Sequence, residues 1–171
     1  MKSSFPIHNH AGNMKQALSA GIKSGFFAGI CGALLFGTFI TLYFAWLEGN
    51  ILGIILLPYI LAFGIPIGMF LGAILGTVIG YVVYKNNMTV RQLIIYSVIL
   101  GAVAGTIYPI VFIFGTIIFR TSLSPSDIQE AVVSFVEGLL SGGMAGLIGS
   151  KLFLRFLNKQ PEIGYIKSIN Q

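Results

Sequence analysis

Residues 64–85 read GIPIGMFLGAILGTVIGYVVYK, and this stretch decides the class of the protein. From Gly64 to Gly80 every fourth residue is a glycine, with mostly large apolar residues between them, and there is no charge before Lys85. In water each interior glycine would cost about 1 kcal/mol relative to alanine, whereas in hydrocarbon the backbone must satisfy its own hydrogen bonds and is therefore helical. At about 1.5 Å per residue the stretch matches the roughly 30 Å core of a bilayer. We therefore predict a membrane-spanning helix with one glycine-lined face.

The composition of the whole chain agrees with this prediction. Of its 171 residues, 56% are hydrophobic and 9% are charged, with a mean hydropathy of +0.90. Such a chain could not bury its apolar surface in water, so we predict an all-α integral membrane protein in contact with the lipid bilayer. The net charge of +5 comes from basic residues that flank apolar stretches and form no continuous patch, which argues against nucleic acid as a partner.

The apolar stretches predict four transmembrane helices. Residues 1–20 are interpreted as an N-terminal tail that becomes helical near Met14, and residues 160–171 as a C-terminal tail. The transmembrane domain, residues 21–159, contains spans at about 22–46, 64–84, 93–119 and 131–157. The helix that contains the last span is expected to begin before it, at Ser124-Pro125-Ser126-Asp127, an N-cap followed by proline and an acid in the first turn.

The run from Ile51 to Tyr84 is too long for one span at ordinary tilt, because 34 helical residues would extend about 50 Å. Pro58 and Pro66 are the expected break points. Residues 51–63 are therefore interpreted as a re-entrant or interfacial segment that lies against a partner or the lipid interface. Pro109 is expected to kink the third span.

Glycines at four-residue spacing recur in all four spans and predict close packing of a glycine-zipper type. A two-helix hairpin duplicated in tandem would account for their arrangement, since the glycines of spans two and four match at an offset of 70 residues and spans one and three share the pattern GxxAG. Similar composition is the alternative explanation. The predicted packing residues are Gly25, Gly29, Gly64, Gly68, Gly72, Gly76, Gly80, Gly101, Gly105, Gly138, Gly142 and Gly146.

The basic residues predict the orientation of the chain. If the loops alternate between the two sides of the membrane, Arg120 alone lies on one side and nine basic residues lie on the other. Because cytoplasmic loops are enriched in Lys and Arg, both termini of this multi-pass protein are expected in the cytoplasm. The nine residues are Lys2, Lys15, Lys23, Lys85, Arg91, Lys151, Arg155, Lys159 and Lys167.

Glu137 is the one carboxylate inside a predicted span, about 9 Å deep if the helix enters the membrane near Ala131. Ionisable groups at such depth are costly and tend to face the interior of a bundle. Two interpretations follow: a proton or cation site in a small transporter or channel, or a structural carboxyl that holds two helices together. We prefer the structural one, because a transport path needs further polar stations. The accompanying site residues are Ser134, Ser141, Thr38, Thr41 and Thr116.

The sequence contains no pattern typical of catalysis, and an enzyme is not expected. It lacks HExxH, GxSxG and a phosphate-binding loop, and no predicted span contains a histidine. His8 and His10 have the spacing of a metal pair but no nearby Cys or carboxylate to complete a set, so neither a metal site nor a cofactor is predicted.

Two functions are consistent with these features. The first is a structural or accessory subunit that packs through its glycines in a homo-oligomer or a larger membrane complex, because the glycine faces exceed what a four-helix bundle needs internally. The alternative is a small proton- or cation-coupled transporter or channel that uses Glu137.

Overall fold

The computed structural model describes residues 13–48, 52–86, 88–107, 109–110 and 124–158. These residues form four helices, so the predicted all-helical class is confirmed. Three of the helices contain stretches long and apolar enough to cross a membrane, at Met14–Tyr43, Leu61–Lys85 and Asp127–Asn158. The helices are α1 (Met14–Glu48), α2 (Leu52–Lys85), α3 (Val90–Gly105) and α4 (Pro125–Asn158).

Two of the helices begin with a reciprocal cap. At α4 the Asp127 amide donates to Ser124 Oγ at 3.2 Å and the Ser124 amide donates to Asp127 Oδ2 at 2.9 Å, which confirms the predicted start of this helix. At α3 the Gln92 amide donates to Thr89 Oγ1 and the Thr89 amide to Gln92 Oε1. Each cap satisfies backbone donors that a helix start would otherwise leave unpaired.

The predicted break in α2 is not found. This helix runs without interruption through Pro58 and Pro66 to Lys85. A proline removes one backbone hydrogen bond, but in an apolar helix the remaining bonds cannot be exchanged for bonds to water, so the helical form persists on both sides. The placement of residues 51–63 at the interface stays a prediction.

α3 is the short helix of the described chain, with 16 residues. It ends at Gly105, four residues before the buried Pro109. If the helix continued to residue 109, the proline ring would collide with the carbonyl of Gly105. The predicted disturbance at Pro109 therefore has a direct steric cause. The predicted span 93–119 includes residue 108 and residues 111–119, which lie outside the described residues.

The helices pair as two antiparallel hairpins. α1 packs along α2, and α3 packs along α4. The hairpins meet mainly through α1 and α4, whereas α2 and α3 have few contacts with each other. Three of the four interfaces around the bundle are therefore well formed, and the two hairpins separate on the α2–α3 side.

All four helices converge at one end of the bundle in an apolar cluster. It joins the start of α1, the end of α2, the start of α3 and the end of α4. The described basic residues all lie in this half of the bundle and are exposed, whereas Glu48, Asp127, Glu130 and Glu137 lie in the other half. We call these the basic end and the acidic end. The cluster comprises Ala17, Ala20, Val83, Met88, Leu93, Phe153 and Leu157.

Candidate functional site

The backbones of α1 and α2 approach each other at glycines. A Cβ added to Gly25 would lie 2.8 Å from the carbonyl carbon of Gly72, and one added to Gly29 would lie 2.5 Å from that of Gly68. Real Cβ atoms essentially never come so close to backbone. The same close approach occurs at Gly21 with Gly76, so each four-residue step along α1 is matched by a four-residue step in the opposite direction along α2.

The second hairpin has the same arrangement. A Cβ added to Gly105 would lie 2.8 Å from the carbonyl carbon of Gly138, and Gly101 faces Gly142 in the same way. At the third position the glycine is on α4 only, where Gly146 contacts the backbone of Ser97. The two pairs of helices are thus held in register by equivalent contacts.

The interface between the hairpins is formed differently, by glycine against alanine. An added Cβ on Gly32 of α1 would lie 3.1 Å from the Cβ of Ala145 on α4, and one on Gly149 of α4 would lie 3.0 Å from the Cβ of Ala28 on α1. Farther toward the basic end, the rings of Phe27 and Phe156 stack with centroids 6.2 Å apart. The α1–α4 interface was not predicted, because a glycine pattern on one helix does not indicate which neighbour it contacts.

Most of the glycines predicted to pack do contact another helix of this chain. Gly64 differs, because a Cβ there would meet only the Cβ of Ala33 at the ordinary distance of 3.9 Å. Sequence reasoning missed that Ala17 and Ser97 extend the contacts, although both continue the four-residue spacing. Since these faces contact each other, the glycines are not the surplus surface that the sequence interpretation assigned to partners.

A cavity of about 620 Å³ lies between the hairpins and is lined by all four helices. Glycines and alanines make up much of its wall, and Phe153 of the apolar cluster borders it toward the basic end. Phe63 and Ile67 of α2 and Ile107 beyond α3 border it toward the acidic end. Among the residues that the structure describes, those that line the cavity carry no charge.

Three serine residues belong to the cavity lining. Ser24 Oγ donates to the Gly21 carbonyl at 3.0 Å, and Ser141 Oγ donates to the Gly138 carbonyl at 3.3 Å. Ser97 is buried, and its Oγ has no hydrogen-bond partner among the described residues. Ser97 Oγ also has almost no accessible surface, so it is enclosed by protein atoms and does not open into the cavity.

The structure does not gather the polar residues predicted around Glu137 into one pocket. Of those that the structure describes, Ser141 alone lines the cavity. Thr38 is exposed and donates to the Leu34 carbonyl of its own helix, and Ser134 is half-buried. Thr116 lies outside the described residues.

Glu137 and Thr41 nevertheless share one property. Glu137 Oε2 and Thr41 Oγ1 are both buried and have no hydrogen-bond partner in the part of the chain that the structure describes. Continuing the antiparallel register of Gly32 with Ala145 places residue 41 within about one residue of the level of Glu137, a rise of about 1.5 Å. The two oxygens thus belong to facing helices at similar depth.

Groups that would support catalysis or metal binding are sparse. Among the described residues, no three His, Cys, Asp or Glu side chains are close enough to hold a metal ion. Cys31 is a free, half-buried thiol on α1. His8 and His10 lie outside the described residues.

Comparison with known protein families, with curated proteins and with solved structures finds no match for this chain. The fold itself indicates the class of protein. The described chain is helical, and its three candidate spans and apolar exterior are those of a membrane protein. Any more specific function has to be inferred from the geometry described above.

Proposed function

We propose that this is a non-enzymatic, multi-spanning membrane protein that acts as a structural or accessory subunit in a larger membrane assembly. The observation that carries the proposal is the length of α2. This helix has 34 residues and no charge before Lys85, so it extends about 51 Å. Fitting it into a core of about 30 Å would require a tilt of more than about 50°, outside the observed range of 0–40°.

The excess length of α2 lies toward the acidic end. If Lys85 marks one boundary of the core, about twenty residues of α2 cross the core, and roughly residues 52–64 continue beyond it. This extension carries exposed apolar side chains: Ile55 is 56% exposed and Phe63 is 72% exposed. Exposed apolar surface of this kind marks contact with another protein or with lipid, and because the extension lies beyond the core we assign it to a protein. The proposed partner is a membrane protein, either another subunit or a second copy of this chain.

The test is native mass spectrometry of the complex after gentle extraction from its own membrane, with identification of every copurifying protein. We expect a stoichiometric partner that is lost in the variant Ile55→Asn. The matched control is Ile128→Asn, because Ile128 is 52% exposed and lies at the same end on α4. A monomer without partners in mild detergent and in lipid would refute the proposal.

We also propose that the contacts within each hairpin are glycine zippers and that the hairpins are tandem repeats. An offset of 76 residues relates α1 to α3 and an offset of 70 relates α2 to α4. When these offsets are added to the residue numbers of the facing pairs in the first hairpin, the sums are the facing pairs of the second hairpin. A similar composition alone would not require this match, so the match supports duplication. The related pairs are Gly21/Gly76 with Ser97/Gly146, Gly25/Gly72 with Gly101/Gly142, and Gly29/Gly68 with Gly105/Gly138.

The proposed orientation has both termini in the cytoplasm. It is supported by the exposed basic residues of all four helices at the basic end, where the start of α1 and the end of α4 also lie. Lys and Arg are enriched on the cytoplasmic side of membrane proteins, so the basic end is assigned to that side.

A small proton- or cation-coupled transporter is the second candidate. It is favoured by the two buried oxygens of Glu137 and Thr41 that lack partners within the described residues. Flux of protons or monovalent cations into liposomes should be lost in Glu137→Gln and kept in Glu130→Gln, a half-buried carboxylate on the same helix. Unchanged flux in Glu137→Gln, or no flux in the unmodified protein, would eliminate this candidate.

A further inference from the structure

Three exposed cationic side chains lie on α1 and α4 at the basic end of the bundle. They are Lys23 on α1 and, one helical turn apart on α4, Lys151 and Arg155. Among the described residues this end contains no carboxylate that would neutralise them. Because opposite charges attract strongly where water is scarce, an anion at the membrane surface is the natural counter-charge for these side chains.

The α1–α4 interface brings two of these side chains to one place. The rings of Phe27 on α1 and Phe156 on α4 stack with centroids 6.2 Å apart. Lys23 precedes Phe27 by one turn of α1, and Arg155 is the neighbour of Phe156 in the chain. The glycine–alanine contacts of the same interface likewise place residue 23 opposite residue 154. Lys23 and Arg155 therefore flank one aromatic pair from two helices.

Exposed apolar surface adjoins these charges. Phe27 is 48% exposed and lies one turn farther from the basic end than Lys23, and Ile22 beside Lys23 is 44% exposed. A soluble anion would contact the charges alone and leave this apolar surface uncovered. An anionic lipid matches both parts, because its head group carries the negative charge and its acyl chains are hydrocarbon.

We propose that Lys23 and Arg155, with Lys151 beside them, bind the phosphate of one anionic phospholipid from the leaflet at the basic end, and that its acyl chain lies against the Phe27–Phe156 pair. Arginine suits this role because its planar guanidinium forms two parallel hydrogen bonds with phosphate oxygens, whereas lysine adds a point charge. Basic sites between transmembrane helices bind anionic head groups in this way. The site goes beyond the proposed accessory role and does not depend on it.

The test uses the purified full-length protein in a neutral detergent, freed of native lipid, and native mass spectrometry of its lipid-bound states. The probes are phosphatidylglycerol and phosphatidylcholine with the same acyl chains, together with glycerol phosphate as a head group without chains. We expect saturable binding of phosphatidylglycerol that is about tenfold tighter than binding of phosphatidylcholine, and only weaker binding of glycerol phosphate.

Variants that remove one charge each locate the site. Lys23→Gln and Arg155→Gln should each weaken phosphatidylglycerol binding about fivefold, the factor expected for one cation near an anionic head group. The matched controls are Lys15→Gln, two turns before Lys23 on α1, and Arg91→Gln on α3. The controls should change the affinity by less than about twofold, because charges farther away than about 10 Å are screened by salt. All four side chains are exposed, so no variant removes a buried contact.

Three results would overturn the inference. The first is binding of phosphatidylcholine as tight as that of phosphatidylglycerol. The second is an equal effect of all four variants, which would mean that the lipid responds to the total charge of the basic end. The third is binding of glycerol phosphate as tight as that of the lipid, which would make this a site for a soluble phosphate. None of these results bears on whether the chain copurifies with a protein partner, so the accessory role is judged separately.

Discussion

Neither Gly25 of α1 nor Gly72 of α2 has room for a side chain, because each lies against the backbone of the other. A Cβ on Gly25 would lie 2.8 Å from the carbonyl carbon of Gly72, and a Cβ on Gly72 would lie 3.0 Å from that of Gly25. Without a hydrophobic effect between helices in lipid, association depends on dispersion and weak Cα–H···O contacts, both of which require such closeness. Stability of the hairpin should therefore depend on the absence of a methyl group at these positions.

The first prediction concerns this contact. Gly25→Ala should lower the free energy of unfolding by about 1–3 kcal/mol, because the added methyl group would collide with backbone that cannot rotate away. Titration with a denaturing detergent in mixed micelles measures the change. Gly64→Ala is the control, since its methyl group meets only the Cβ of Ala33 at 3.9 Å, and it should be neutral or stabilising. Equal losses in the two variants would contradict the contact.

The second prediction tests the proposed duplication of the hairpin. Gly101→Ala should destabilise to a similar degree as Gly25→Ala, because Gly101 faces Gly142 as Gly25 faces Gly72. The two losses should add within about 0.5 kcal/mol in the double variant, since the sites share no partner. Gly143→Ala, whose added Cβ would meet side chains only at 3.8 Å or more, is the control on α4. A neutral Gly101→Ala would remove the support for duplication.

The third prediction concerns the start of α3. Thr89→Ala should cost about 1 kcal/mol, because it removes the side-chain half of the cap with Gln92. Faster amide hydrogen exchange in the first turn of α3 is the most direct measurement. Thr38→Ala removes an exposed hydroxyl that bonds within α1 and should leave exchange in α3 unchanged. Unaltered exchange in Thr89→Ala would show that the cap is dispensable.

The fourth prediction tests the proposed orientation. In a Cys31→Ala background, single cysteines at Lys85 and Asn158 should react with a membrane-impermeant maleimide from the cytoplasmic side, because both residues lie at the basic end and are exposed. A cysteine at Ile128 should react from the opposite side. Labelling of all three from one side would exclude this topology.

Local features of the fold were largely predictable from the sequence. The start of α1 near Met14 and the cap at Ser124 follow from residues within one helical turn, and the membrane class follows from composition. The cap at Thr89 was missed although the pattern Thr-x-x-Gln was present at 89–92. The break expected at Pro58 and Pro66 was wrong, because the rule that proline ends helices applies where water can replace the lost bond.

The candidate site was much less predictable. Glu137 was conspicuous as an isolated charge, yet it does not line the cavity, and Ser97, which does, was indistinguishable from any other serine of an apolar span. No local pattern reports the depth at which a side chain meets a neighbouring helix, because that depth depends on the register of two helices that are distant in the chain.

By itself the sequence determined that the chain is helical and membrane-embedded and that glycines at four-residue spacing would form smooth faces, since these properties depend on residue type and local periodicity. The tertiary structure alone decided which faces meet. The glycines of α1 are closed by α2, those of α3 by α4, and a cavity remains where the hairpins separate. The physical reason is that a glycine face accepts any close backbone, so the choice among partners is made by the packing of the whole bundle.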